Sequence, residues 1–228
     1  MHPKREVFIT GGTGYMGRRL IDELLARGHS VRALVRPGSE KKLPAGASAV
    51  VGDALDKSSY AAAVPPCDTF VHLVGVSHPN PSKAAQFLAV DLASAKEAIA
   101  AASAAHVAHF VYVSVAQPAP MMHVYIAARA EGEQALRASG MNCSILRPWY
   151  VLGPGHRWPY ALIPLYWMME QFPGTRDGAR RLGLVTIKQM VAALEGAVEN
   201  GATGVRILEV PEIRQFTAQT ASRTAQPT

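Results

Sequence analysis

Gly11, Gly14 and Gly17 stand three residues apart in the run Val7-Phe8-Ile9-Thr10-Gly11-Gly12-Thr13-Gly14-Tyr15-Met16-Gly17. Glycines at such spacing let a chain turn tightly, let a pyrophosphate approach the backbone, and let a helix press against the preceding strand. The helix that follows offers unpaired N–H groups and a partial positive charge at its N-terminus, so the chemistry served is backbone binding of a dinucleotide diphosphate. Gly12, Thr13, Tyr15 and Met16 lie inside the same turn and count with it as cofactor positions. A cation stands further along, where a second apolar run ends Leu34-Val35-Arg36 without an acid. A carboxylate there would accept from a ribose 2′-hydroxyl, whereas an arginine fork suits a 2′-phosphate, with Arg18, Lys41 or Lys42 in support. NADP(H) is therefore expected in preference to NAD(H). NAD(H) stays open, because Arg36 can equally be a solvated surface residue.

The elements that must position these residues are legible in the pattern. A short apolar run bounded by glycine reads as a buried parallel strand. Met16, Leu20 and Leu24 then share a helix face with Ile21 and Leu25, and Gly28 closes that helix before a strand at 29–35. Further strands are expected at 49–51, 70–74, 109–114 and 143–146, with helices at 58–64, 83–105 and 124–139 between them. Strands that are apolar throughout and alternate with helices predict an α/β fold, a doubly wound parallel sheet covered on both faces. Its ligand should cross the carboxyl ends of the strands.

Composition narrows the classes. A chain of 228 residues that is 49% hydrophobic can bury one substantial core. Cys67 and Cys143 fit no ligand spacing or disulfide framework and read as structural thiols. The net charge of +6 is dispersed and not interleaved with stacking aromatics, so nucleic acid is not an expected partner. His72, His78, His106, His109 and His123 lack metal spacing, and no metal is expected. A Gly-x-Ser-x-Gly elbow is absent, as is a Lys-Ser/Thr after the glycine turn, which speaks against a hydrolase and a nucleoside triphosphatase. Neither a signal peptide nor a bilayer-spanning stretch is seen, giving the expectation of a cytoplasmic protein, monomer or homodimer.

The turn Thr10–Gly17 resembles the Thr-Gly-x-x-Gly-x-x-Gly fingerprint of extended and atypical short-chain dehydrogenase/reductases. The resemblance runs from Val7 to about Pro211 through Gly52-Asp53, Val71–Val76, Val113-Ser114, Tyr125–Glu133 and Leu146–Gly155. It is greatest to the NAD(P)H-binding branch related to NmrA and the complex I accessory subunit, which mixes reductases with nucleotide-binding proteins of little or no activity. It implies that Asp53 holds the adenine amino group, that Val74, Gly75 and Val76 line the cofactor, and that Pro148 and Val151 belong to a nicotinamide-side loop. It also implies a tyrosine general acid, a ribose-binding lysine and a carbonyl-orienting serine. Tyr125 falls at the tyrosine, Arg129 replaces the lysine, and Ser114 sits at the strand end, although Val115 competes for the serine position. Tyr125 as a packing residue is the alternative.

After Pro148 the pattern changes to a loop at 149–155, an aromatic and methionine-rich segment at 158–172, a strand at 182–185, a helix at 187–198 and a last strand at 205–210. One domain over 1–214 is expected, with 149–214 supplying a small C-terminal cap and the last sheet elements, and a disordered tail at 215–228. The segment from Trp158 to Met169 is weighed equally as substrate pocket and as core or oligomer contact. The function expected is an oxidoreductase on a small carbonyl, enone or quinone. The alternatives are a dinucleotide sensor or assembly protein and, third, a sugar-nucleotide epimerase, for which the cap leaves little room.

Overall fold

The computed structural model describes residues 3–77, 79–154, 168 and 171–216. Seven strands form one parallel sheet: β1 (Glu6–Thr10), β2 (Ser30–Val35), β3 (Ser48–Val51), β4 (Thr69–His72), β5 (His109–Val113), β6 (Cys143–Leu146) and β9 (Val205–Leu208), in the order β3-β2-β1-β4-β5-β6-β9. The order reverses between β1 and β4, which opens a crevice at their carboxyl ends. Register carries the alternation of β1 to both faces. Val7 and Ile9 pack with Leu20, Ile21 and Leu24 of α1 (Tyr15–Ala26), and on the same face lie Met190 and Leu194 of a C-terminal helix. Phe8 turns to the opposite core with Phe70, Phe110, Ile99 and Leu136.

That second face is covered by α2, a composite helix of Ala84–Gln86, a π turn at Phe87–Leu92 and Ala93–Ala104, and by α3 (His123–Ala138). The helix expected at 58–64 is instead two short 3-10 turns, Lys57–Ser59 and Ala61–Ala63. Pro65 and Pro66 stop any continuation, and the Arg32 guanidinium gathers the carbonyls of Ala63, Val64, Pro65 and Pro66.

The region after Pro148 departs from expectation at three places, the last being the strand expected at 205–210, which ends at Leu208. Tyr150–Leu152 is not loop but strand β7, paired in parallel with β8 (Leu184–Thr186), because three β-favouring side chains find a partner edge there. A helix, α4 (Pro173–Arg181), precedes β8; its glycines and charges concealed it from periodicity. α5 (Ile187–Glu199) starts on a Thr186–Gln189 capping box and returns to the main sheet. Residues 210–216 are helical and Phe216 packs on the core, so order extends two residues into the expected tail. Positions 217–228 lie outside the described residues, as does the segment from Trp158 to Met169 apart from Met168.

Candidate functional site

The glycine turn links β1 to α1 at the crevice. Gly11 adopts φ +79°, and a Cβ there would lie 2.8 Å from the Leu73 carbonyl carbon. At Gly17 a Cβ would overlap the Gly11 carbonyl oxygen and come to 2.7 Å from the Gly12 Cα, so helix and turn touch backbone to backbone. Gly14 is the N-cap of α1, with no side-chain cap and no acid in the first turn. Its N–H donates to Gly11 at 3.0 Å, closing the turn, while the uncapped helix start leaves the donors that an anion requires. Gly12 is buried, Thr13 half-buried, and Met16 packs on the core. The Tyr15 hydroxyl presses on Gly153 beyond β7, joining turn and cap. This cradle fits a dinucleotide diphosphate.

Arg36 follows β2 and is exposed. Among the described residues no partner engages its guanidinium. Asp53 is exposed after β3, with Oδ1 accepting from the Leu55 N–H at 2.9 Å.

Beyond β4 the chain passes beneath the turn through Leu73, Val74, Gly75 and Val76. It is tied on one side by Thr10, whose hydroxyl bonds His72 Nδ1 at 2.8 Å and whose carbonyl accepts from Leu73 N–H at 3.0 Å. Burial, and next the Arg129 charge, push His72 down to about 3, so it is neutral.

α3 presents Tyr125, Arg129 and Glu133 along one face, at four-residue spacing. Tyr125 is half-buried, its ring 4.9 Å from that of Phe87, with the Arg129 guanidinium carbon 5.4 Å from its centre. Arg129 is buried and donates to the Val113 carbonyl at 2.9 Å, to the Val74 carbonyl at 3.4 Å and to Asp91 at 2.6 Å. Burial opposes the Arg129 charge, but Tyr125, Tyr112 and Asp91 around it more than offset that and raise its pKa. Burial likewise pushes the Asp91 carboxyl up, against the pull of Arg129 and the Val76 N–H. The Arg129 guanidinium does not release its proton, and it meets the Asp91 carboxyl at salt-bridge distance, 2.6 Å.

Ser114 belongs to a different cluster. Its hydroxyl donates to Glu133 at 2.6 Å, and Glu133 also accepts from Gln117 at 3.0 Å and from Arg147 at 2.5 and 2.9 Å. Arg147 reaches Glu209 at 2.9 Å. Tyr125 and Arg129 are thus brought together, while the Ser114 proton is directed to Glu133. Pro148 is buried and its carbonyl accepts from Ala116 N–H at 3.0 Å; Val151 lies in β7 against the core.

Sequence reasoning missed Asp91 and Glu133. Asp91 had a signal, an acid inside the apolar run Phe87-Leu88-Ala89-Val90-Asp91-Leu92. Among the described residues no group of His, Cys, Asp and Glu could hold a metal ion, and no helix is long and apolar enough to cross a membrane.

Residues 11–158 match the family model described as NAD(P)H-binding. The chain is 30% identical over 168 residues to the 4-hydroxy-2-methyl-3-oxo-4-farnesyl-3,4-dihydroquinoline-1-oxide ketoreductase of Stigmatella aurantiaca, covering 64% of this chain and 50% of that one. It is 28% identical over 216 residues to the ceramide reductase of Caulobacter vibrioides, covering 92% and 65%. It therefore spans half to about two thirds of these relatives' length. Among solved structures, the Bordetella bronchiseptica enzyme WbmH in complex with NAD+ superposes with a TM-score of 0.68 at 19% identity, over 98% of this chain and 82% of that one. That likeness concerns the fold alone.

Proposed function

The chain belongs to the NAD(P)H-binding family, in its atypical short-chain dehydrogenase/reductase branch, and on that premise we propose that it is an oxidoreductase that reduces a small carbonyl, enone or quinone with NADPH as the preferred donor. The observation that carries the reading is Tyr125, half-buried over a fixed cation beside the crossing that runs under the glycine turn. The dinucleotide supplies a hydride when bound. The Gly11–Gly17 backbone holds its diphosphate, and Arg36 engages a 2′-phosphate. Tyr125 donates the proton from its hydroxyl to the reduced oxygen or carbon of the acceptor. Leu88, Met121 and Val124, which flank Phe87 and Tyr125 in sequence, are exposed apolar side chains. The relatives' names, a farnesyl-bearing ring and a ceramide, accord with an apolar substrate body.

A second reading, a dinucleotide sensor, is favoured by the engagement of Ser114 with Glu133 and of Arg129 with Asp91. The two are separated by NADPH oxidation against a panel of ketones, enones and quinones. An oxidoreductase consumes NADPH with at least one acceptor and yields the reduced product, whereas binding without turnover across the panel supports the sensor.

A further inference from the structure

α2 is irregular where it carries a buried acid. Phe87–Leu92 winds as a π turn, an arrangement rare in helices and concentrated at functional positions. Asp91 within it is 0% exposed. Its two oxygens serve different partners: Oδ1 accepts from Arg129 Nη2 at 2.6 Å, and Oδ2 accepts from the Val76 N–H at 3.1 Å. Arg129 extends the span to the ends of two strands through the carbonyls of Val113 and Val74. Gly75 lies between, where any side chain would collide with the guanidinium. The crossing so clamped also abuts the glycine turn, since a Cβ on Gly11 would stand 3.0 Å from the Val74 nitrogen.

We infer that the Asp91–Arg129 pair is a latch that sets the height of the Leu73–Val76 crossing beneath the glycine turn. Arg129 then acts on cofactor binding as a positioning residue, not by touching the ribose. The inference rests on the reading of the turn as the dinucleotide site. Both Nη atoms of Arg129 are already committed to acceptors on α2, on the Leu73–Val76 crossing and on β5. A lysine, with one nitrogen on a flexible stem, cannot hold those three elements in the same way. Asp91→Asn removes the counter-charge and leaves the buried Arg129 cation unpaired.

The test is NADPH affinity by fluorescence titration, with urea unfolding in parallel, for wild type, Asp91→Asn, Arg129→Lys and the double variant Asp91→Asn/Arg129→Met. Each single variant should weaken NADPH by about tenfold, the scale of one lost hydrogen-bonded contact. The double variant carries no unpaired buried charge, so its folding should recover while its affinity stays about tenfold weak, because no donor reaches Val113 and Val74. A purely structural role would restore both. Wild-type affinity in a folded Asp91→Asn, or in the double variant, overturns the latch. Wild-type affinity in Arg129→Lys overturns it too, being the result expected of a cation on the ribose. A wild type that binds no NADPH overturns the reading of the turn itself, and the latch with it.

Discussion

Replacing Gly17 by alanine puts a methyl group where the backbone of the turn already lies. The new Cβ overlaps the Gly11 carbonyl oxygen and sits 2.7 Å from the Gly12 Cα and 2.9 Å from the Gly12 carbonyl carbon. All three neighbours are backbone, so no side chain can swing aside; the turn must retreat by about 1 Å to reach ordinary contact at about 3.5–4 Å. Such overpacking costs about 1–3 kcal/mol of stability. The same displacement carries the α1 N–H groups out of hydrogen-bond reach of a diphosphate. One charge-assisted bond is worth about 1.5–3 kcal/mol, so losing one weakens NADPH by roughly 10- to 100-fold. Fluorescence titration of NADPH, beside urea denaturation, reads both effects. Gly178 supplies the control, because it lies inside α4 and among the described residues nothing comes within 4 Å of its would-be Cβ. A Gly17→Ala protein that binds NADPH like wild type would refute the backbone cradle.

Gly178→Ala itself should raise stability by about 0.5–1 kcal/mol through helix propensity and leave affinity unchanged, as a higher urea midpoint will show. Arg36→Glu should lower NADPH affinity by about 10- to 100-fold while NADH affinity holds or rises; equal losses for both would deny Arg36 the 2′-phosphate. Acid should destabilise the fold through His72 and His109, held by burial to about 3 and about 4 against an ordinary value of 6.5. The unfolded chain takes up protons that the folded chain refuses, so their stability contribution is intact above pH 6.5. It falls by about 1.4 kcal/mol per pH unit per histidine below that, or about 2 kcal/mol each at pH 5. The urea midpoint measured from pH 7 to pH 5 reads this, and a flat midpoint would contradict it.

The sheet was legible because parallel strands buried on both faces are apolar at every position: Val7–Ile9 and Phe110–Val113 announce themselves by composition alone. The glycine turn was legible because close backbone approach admits no other residue at Gly11 or Gly17. Tertiary pairing was not. Tyr150–Leu152 becomes a strand only because Leu184–Thr186, 34 residues on, supplies its partner. The short run at 58–64 had helical residues but is cut by Pro65 and held by Arg32 from another strand. At the site, Tyr125 and Arg129 could be paired from their spacing on a helix, whereas what Arg129 faces depends on Asp91, 38 residues away. Ser114 looked available at a strand end, yet its proton goes to Glu133 on α3, a contact that no local pattern encodes.

The role of Tyr125 as proton donor is tested most directly by the rate of NADPH oxidation in Tyr125→Phe, measured with an acceptor that the wild type reduces. The exchange removes one hydroxyl and keeps the ring against Phe87. General acid catalysis contributes about 10²–10⁴-fold, so kcat should fall by that factor while NADPH affinity stays at the wild-type value. A variant that binds NADPH normally and turns over at the full wild-type rate would contradict the account.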